Sequence, residues 1–325
     1  NENGLIEEVA ANVPRLDYSD GTCPSLLLEG TATNLINYSE DFSVASWNTA
    51  STRSMTVSPS TVLDLRGGTD AFRITSTASN NQLAAFGSVT SGLNYANSIY
   101  VRRVSGVGTI NLRDVNNNSN IITLSESDGW KRIESSVLSN STNGRFYLNL
   151  STVGDVIDVW GAQLEENSYA TSYIKTIGTV QTRVADTATG SGNSTVINSS
   201  EGTIYVEGSW LDSNSPSLTR IVNILGVGGF VQIRAGSATN RIQAVANSGV
   251  DTLSLVTTAF DVTTKLKIAF KYKLNDFALW VNGTEIVTDL SGIPPVGLNE
   301  LRIENNTKTK SVQVYTTALS DAELT

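Results

Sequence analysis

Residues 265–273 read KLKIAFKYK, and this stretch decides the fold class. Its apolar members stand at every second position, separated mainly by lysine; they are Leu266, Ile268, Phe270 and Tyr272. A repeat of two residues is typical of a strand with one buried face, whereas a helix repeats at about 3.6 residues. The stretch therefore predicts a half-buried β-strand.

Similar segments recur from Gly202 to Leu319 with turn residues between them: GTIYVEGSW, TRIVNILG, FVQIRAG, RIQAVANSG, TLSLVTTA, FALWVNGTEIVTDL, ELRIEN and VQVYTTAL. Asn282-Gly283 favours a two-residue hairpin between two of the strands. LGVGG, from Leu225 to Gly229, is interpreted as another tight hairpin, because it lacks the helix N-terminus of a phosphate loop. Many short strands at this spacing predict an antiparallel sandwich over residues 202–325.

Residues 35–178 carry a second set of alternating segments: AFRITST, NSIYVRRV, TINLRDV, WKRIESSV, RFYLNLS and VIDVWGAQLE. They predict another sandwich. Residues 179–201 are polar, small and without periodicity, which is typical of a linker. The expected fold is therefore all-β, with two antiparallel β-sandwiches in tandem.

Residues 1–34 contain one short apolar run, Leu26 to Leu28, and the stiffening residues Pro14 and Pro24. The apolar run can dock as one strand, and an ordinary loop packed on its own domain is one interpretation of the segment. At the other end, SDAELT places Ser320 and Glu323 as a capping box, so a helix is expected to begin there and the chain to continue beyond Thr325.

Composition narrows the possible partners. Hydrophobic residues make up 39% of the 325 residues and charged residues 16%, which suits packed, turn-rich β domains. The net charge of −9 repels phosphate backbones, and Arg102-Arg103 and Lys308-Thr-Lys310 are short basic stretches, so no nucleic-acid partner is expected. No apolar run approaches the roughly 18 residues of a membrane span. Cys23 is the single cysteine, so no intrachain disulfide forms.

Enzyme activity is not expected. The sequence has no histidine, which removes Ser-His-Asp and Cys-His nucleophile systems. The Glu-x-Asp-x-x-Glu run of concanavalin-like glycosidases is missing as well; neither Glu285 with Asp289 nor Asp158 with Glu165 reproduces it. Ser-Lys or carboxylate chemistry remains open.

Alternation also indicates which side chains the cores leave for binding. If Val101, Leu112 and Leu148 point inward, an opposite face carries Tyr100, Arg102, Asn111, Arg113, Tyr147 and Asn149. Aromatic rings with fixed amide and guanidinium donors suit a carbohydrate. A subunit interface or an ordinary solvated sheet is the alternative.

Two tryptophans of the second predicted sandwich, Trp210 and Trp280, are expected in different environments. Trp280 turns outward from its strand, as a second candidate for carbohydrate contact or as an edge covered by a neighbouring loop or chain, whereas Trp210 belongs to the core pattern.

Two long stretches carry a resemblance: GLIEEVAANVPRLDYSDGTCPSLLLEGTATNLINYSEDFSVASW and VWGAQLEENSYATSYIKTIGTVQTRVAD. They resemble a pattern common in bacteriophage fibre and tail proteins. The resemblance implies a carbohydrate-binding-module-like jelly roll, with Trp130 and Trp160 in its core, followed by a concanavalin- or laminin-G-like domain. It also implies that residues 1–34 are an N-terminal connector between other virion proteins and the first sandwich. The fibre that it implies is homotrimeric and lies at the virion surface or outside the cell.

In such a fibre the expected role is host attachment through surface polysaccharide, or virion decoration without a ligand. A carbohydrate-binding accessory region of a secreted bacterial polysaccharide-degrading enzyme or adhesin is the alternative. Jelly rolls of this class often hold a structural Ca²⁺, which the resemblance assigns to Glu40, Asp41 and Asp158 with Asp70 as a further donor. Solvated turn acids are the alternative.

Overall fold

A computed structural model describes residues 1–47, 54–79, 81–213 and 218–325. Nearly all of its regular structure is β and its sheets are antiparallel, which confirms the predicted fold class. The chain forms two compact units. The first sandwich comprises Thr31–Val184 with Asn3–Glu7, and the second sandwich comprises Glu8–Gly30 and Ala185–Thr325 with Asn1–Glu2.

The elements are as follows. The N-terminal segment contains β1 (Leu16–Asp17) and β2 (Ser25–Leu28). The first sandwich contains 3-10 turns at Ala45–Trp47 and Glu126–Asp128, and the strands β3 (Ala32–Asn34), β4 (Met55–Pro59), β5 (Phe72–Ser76), β6 (Leu83–Ser88), β7 (Asn94–Ser105), β8 (Ile110–Arg113), β9 (Ser119–Ile122), β10 (Lys131–Leu138), β11 (Asn143–Leu150), β12 (Val156–Glu165) and β13 (Gln181–Arg183). The second contains β14 (Ala188–Ser191), β15 (Glu201–Trp210), β16 (Arg220–Ala235), β17 (Ile242–Asn247), β18 (Thr252–Val256), β19 (Leu266–Lys273), β20 (Phe277–Val281), β21 (Thr284–Asp289), β22 (Val296–Ile303), β23 (Thr307–Tyr315) and the helix α1 (Asp321–Leu324).

Two sheets enclose the core of the first sandwich. One has the order β10-β7-β12-β5-β4 and the other β6-β11-β8-β9, while β13 pairs with β3 beside them. Val101 from the five-stranded sheet and Leu112 and Leu148 from the four-stranded sheet meet in one buried apolar cluster. The inward assignment of these residues is confirmed.

The second sandwich has a seven-stranded sheet of order β1-β2-β23-β15-β19-β20-β21 and a five-stranded sheet of order β14-β22-β16-β17-β18. The apolar residues of KLKIAFKYK lie on β19 and all enter the core between these sheets, as predicted; they are Leu266, Ile268, Phe270 and Tyr272. Trp210 lies in the same core and is 1% exposed, which confirms its assignment.

The N-terminal segment belongs largely to the second sandwich. The run Leu26 to Leu28 does form a strand, and that strand pairs with β23. Arg15 anchors the segment, because its guanidinium donates to Glu29 at 2.6 Å and also to Asp186. The strands β1 and β2 are therefore part of a sheet of the second sandwich, and the predicted connector 1–34 does not coincide with a structural unit.

The predicted linker 179–201 likewise contains strands. Gln181–Arg183 pair with β3 in the first sandwich, and Ala188–Ser191 pair with β22 in the second. Both strands are short and largely exposed, so their polar composition reflects an edge position rather than an unstructured chain.

One hairpin prediction is confirmed and the other is wrong. Asn282-Gly283 joins β20 to β21 with φ angles of 52° and 76°, as a two-residue hairpin requires. The glycines of LGVGG lie inside β16 instead of at a turn. A Cβ on Gly226 would lie 2.0 Å from the carbonyl oxygen of Gly297, so close strand approach explains a glycine there.

Candidate functional site

The six residues predicted to form a carbohydrate platform do not share one face. Tyr100 and Arg102 lie on β7 in the five-stranded sheet of the first sandwich, whereas Asn111, Arg113, Tyr147 and Asn149 lie on β8 and β11 in the four-stranded sheet. All point away from the core, so the two groups occupy opposite outer faces. Alternation along a strand assigns a face but does not identify the sheet, which is why the sequence grouped them.

Tyr100 is packed into an aromatic cluster. Its ring centroid lies 5.6 Å from that of Trp160, and the Arg132 guanidinium carbon lies 5.5 Å from the Tyr100 centroid. Tyr173 completes the cluster at 4.6 Å from Trp160. Trp160 is thus buried as the resemblance implied, but outside the core between the sheets, and Trp130 is only half-buried.

The group on the four-stranded sheet makes local contacts. Tyr147 meets Phe86 edge to face at 5.9 Å. The Asn111 amide donates to Ser119, and Arg113 donates to Asn117, each at 3.0 Å, while Asn149 donates to the carbonyl of Asn81. Carbohydrate contact at these residues stays a prediction.

The four carboxylates assigned to Ca²⁺ do not converge. Asp158 is held by Arg73 and by Arg102, each at 3.0 Å, and Glu40 contacts Lys175 and lies 3.7 Å from Arg66. Asp70 lies 3.9 Å from Lys175. Asp41 accepts hydrogen bonds from Ser43 within its turn.

The described residues contain no group of three or more His, Cys, Asp or Glu side chains that would hold a metal. Neighbouring arginines and lysines already neutralise Glu40 and Asp158 and would repel a cation, and Asp41 is bound within its own turn, so the predicted donor set does not fit Ca²⁺.

A groove of about 580 Å³ lies on the outer face of the seven-stranded sheet in the second sandwich. Strand register places Tyr205 opposite Ala269, and Ala269 opposite Trp280, in one row across β15, β19 and β20. A small alanine thus separates two aromatic residues whose strands are about 9.6 Å apart, twice the usual spacing. Ala269 and Trp280 are each only 6% exposed and Tyr205 packs against them, so the row forms a closely packed apolar patch at the base of the groove.

Trp280 is the aromatic residue at the centre of this patch. It points outward, as predicted, but is only 6% exposed because it packs against Ala278 and against Leu324 of α1. Its indole Nε1 is buried and finds no acceptor among the described residues. A buried indole N–H normally has a partner, and this one has neither a partner in the described residues nor surface that a ligand in the groove could reach.

The C-terminal turn, residues 319–325, also lines the groove. Ser320 and Glu323 form the predicted capping box, which starts the single turn of α1. Lys271 ties this turn to the sheet, with its ammonium 2.9 Å from Asp276 and 3.4 Å from Asp321. Burial acts to lower the pKa of Lys271, but these two carboxylates outweigh it and raise the pKa, so the lysine stays charged.

Polar groups line the groove beside this patch. Glu207 lies 3.6 Å from Lys265 and its side chain is 21% exposed, with no hydrogen bond to its carboxylate in the described part of the chain. Desolvation, followed by the charges of Glu207 and Tyr315, raises the pKa of Tyr205, so its hydroxyl stays protonated at neutral pH. The groove therefore offers a carboxylate acceptor and a hydroxyl donor.

Sequence reasoning missed Tyr205 and Glu207. Their alternation with Ile204 and Val206 indicates an outward position, but only the pairing of β15 with β19 brings them beside Trp280.

The basic stretches are neutralised within the fold. Arg103 is buried and pairs with Asp155 at 3.3 Å, and Lys308 lies between Asp17 and Asp20 at 3.3 and 3.0 Å. In addition, no helix in the described residues is long and apolar enough to cross a membrane.

Comparisons find no matching family model and no matching curated protein. A structure reported for the ganglioside-dependent cell entry of botulinum neurotoxin type C is similar, with 9% identity, a TM-score of 0.33 and coverage of 38% of this chain and 34% of that one. This chain thus spans about a third of the toxin chain. Xenopus laevis galectin-Ib matches at 9% identity with a TM-score of 0.30 over 40% of this chain and 100% of its own. A Trypanosoma rangeli sialidase matches at 11% identity and 0.30 over 38% and 22%.

Proposed function

We propose that this chain is a non-enzymatic, glycan-binding segment of a bacteriophage fibre or spike, displayed outside the cell on the virion surface. The resemblance of its two long sequence stretches to fibre and tail proteins supports the virion setting. The groove on the outer face of the seven-stranded sheet carries the binding function. The partly exposed Tyr205 offers an apolar contact to the C–H face of a pyranose, while Glu207 and Lys267 meet its hydroxyls.

The carboxylates of the groove support binding rather than hydrolysis. Glycosidases generally use two carboxylates placed across the scissile bond. Glu207 lines the groove, but the other carboxylate there, Glu323, accepts hydrogen bonds from the amide and hydroxyl of Ser320 at 2.8 and 2.7 Å. Glu323 is therefore committed to the helix cap.

In this proposal three identical chains assemble around one axis, with other virion proteins on the N-terminal side and host polysaccharide as the ligand. A single shallow groove binds weakly by itself, and repetition in every chain of a fibre raises the overall affinity. The assembly thus compensates for a shallow site.

The test removes the aromatic side chain of Tyr205 from the groove. Tyr205→Ala in the full chain should weaken binding to host-surface polysaccharide about fivefold per site, equivalent to about 1 kcal/mol, because one aromatic contact is lost. Isothermal titration measures the per-site affinity. Tyr18→Ala is the matched control, since Tyr18 is also half-buried in the second sandwich but does not line the groove.

A third variant, Tyr147→Ala, tests whether the glycan site lies on the first sandwich instead of the second. If Tyr147→Ala weakens binding and Tyr205→Ala does not, the glycan site lies on the first sandwich. Binding that is unchanged in every variant contradicts the proposed site.

A further inference from the structure

Two arginines lie together without a carboxylate on the outer face of the five-stranded sheet in the second sandwich. Ile233 and Ala235 of β16 enter the core, so Arg234 between them points outward. The N–H of Ala235 donates to the carbonyl oxygen of Thr219 at 2.8 Å, which brings Arg220 beside Arg234. This face is on the opposite side of the sandwich from the groove.

Neutral side chains hold both guanidiniums in place. The Nε of Arg220 donates to the amide oxygen of Gln232 at 2.6 Å, and the Nε of Arg234 donates to that of Gln243 at 2.9 Å. Gln243 is fixed in turn, because its amide nitrogen donates to Ser254 at 2.5 Å, and Gln232 is only 1% exposed. An amide oxygen orients a guanidinium without neutralising its charge. The two arginines are therefore positioned and remain fully charged.

No carboxylate compensates this pair. Neither Arg220 nor Arg234 forms an ion pair with any residue that the structure describes. Desolvation and then the charge of Arg220 lower the pKa of Arg234, and no carboxylate acts against them. Arg302 of the same sheet, by contrast, pairs with Glu300 at 2.7 Å. Because two like charges held side by side repel each other, an anion bound between them is stabilised.

The terminal nitrogens of both arginines are open to a ligand. Their Nη1 and Nη2 atoms make no hydrogen bond to the described residues, and none of these atoms is buried. A guanidinium presents its donors as a planar fork, which matches the paired oxygens of a carboxylate or sulfate group. The site therefore suits an oxyanion.

The charge of the whole chain limits the kind of oxyanion. A net charge of −9 repels a continuous phosphate backbone, which needs an extended basic surface. An acidic sugar unit brings a single carboxylate or sulfate together with hydroxyl groups. The exposed hydroxyl of Ser254, beside Gln243, is a hydrogen-bonding partner for such hydroxyls.

We infer that Arg220 and Arg234 bind the carboxylate or sulfate group of an acidic polysaccharide, at a site separate from the groove. The inference rests on the proposed glycan-binding function for the class of polymer, and it adds a second site that prefers acidic sugar units. Gln232 and Gln243 are positioning residues, since they act on the ligand through the two arginines.

The experiment titrates the full chain with a uronic acid oligosaccharide, a sulfated oligosaccharide and an uncharged oligosaccharide of the same length. At low salt at least one acidic oligosaccharide should bind about tenfold more tightly than the uncharged one, and added salt should reduce this preference. The double variant Arg220→Gln, Arg234→Gln should abolish the preference. Arg234→Lys, which keeps the charge but loses the fork, should reduce it in part.

Arg302→Gln is the matched control for Arg234→Gln. Both substitutions remove one positive charge from the same sheet, but Glu300 already neutralises Arg302. Arg234→Gln should weaken binding of the acidic oligosaccharide, and Arg302→Gln should leave it unchanged. An equal loss in the two variants would show that overall charge is responsible, and would overturn the inference. Circular dichroism confirms that each variant is folded.

The outcomes separate this inference from the proposed function. If the wild type binds no oligosaccharide and no host polysaccharide, both are overturned. Equal affinity for acidic and uncharged oligosaccharides, or an undiminished preference in the double variant, overturns the inference alone. Binding of acidic oligosaccharides that depends on Arg220 and Arg234 but not on Tyr205 supports the inference and overturns the groove as the glycan site.

Discussion

At the scale of single residues, Arg103 shows how a core position accommodates a charge. It shares the inward face of β7 with Ile99 and Val101, and its side chain is fully buried. Asp155 compensates the charge at 3.3 Å, and the carbonyls of Ser105 and Gly108 accept from the guanidinium. Gly106 and Gly108 make room for the carboxylate, since a Cβ on either would lie 2.0 to 2.3 Å from an Asp155 oxygen.

Asp155→Ala should destabilise the first sandwich by about 3–5 kcal/mol, because it leaves the Arg103 charge buried without a partner. Adding Arg103→Met should restore part of that loss, since no buried charge then remains. Denaturant unfolding of the single and double variants measures both effects. Equal stability of Asp155→Ala and wild type would mean that Arg103 reaches solvent.

At the scale of elements, β1 and β2 extend the seven-stranded sheet by pairing with the edge that β23 offers. Ion pairs reinforce the hydrogen bonds, as Lys308 of β23 reaches both Asp17 of β1 and Asp20. Burial acts to raise the pKa of Asp17, but hydrogen bonds from Ser19 and the charge of Lys308 outweigh it and lower the pKa.

This shift predicts an acid-sensitive docking of the N-terminal segment. Because the folded pKa of Asp17 is below its unfolded value, its stabilisation is complete above about pH 4 and is lost as the pH falls through the folded pKa. We expect Asp17→Asn to cost about 0.5–1 kcal/mol of stability at pH 6 and less than that near pH 2. Denaturant unfolding at the two pH values tests this.

Asp251→Asn serves as the reference for the pH experiment, since Asp251 is an exposed turn residue of the same sandwich. If the difference in unfolding free energy between the wild type and Asp17→Asn is the same at pH 2 as at pH 6, the ion pair with Lys308 is not its source.

At the scale of the whole molecule, each sandwich has its own apolar core and Cys23 is exposed and unpaired. Without disulfides, a fibre segment gains stability from burial between chains, since association shifts the folding equilibrium by mass action. The proposed trimer provides that burial.

Light scattering of the full chain at micromolar concentration should give about three times the chain mass of 34.6 kDa. Dilution should lower the melting temperature, because the folded trimer is favoured by concentration. A monomer whose melting temperature is independent of concentration would contradict the assembly.

Features with short-range causes were predictable from sequence. The alternation of Leu266, Ile268 and Phe270 identified a strand and its buried face, and the Asn282-Gly283 hairpin followed from local backbone preferences. Features that depend on strand pairing were not. LGVGG has the composition of a turn, yet its glycines serve close contact with β17 and β22.

The sequence by itself determined the all-β class, the two cores and the outward direction of Trp280, because a period of two is a property of each strand alone. Only the tertiary structure decided which outward residues meet. It separated Tyr100 from Tyr147 and joined Tyr205 to Trp280 across Ala269, because hydrogen bonds between strands distant in sequence set the order of a sheet.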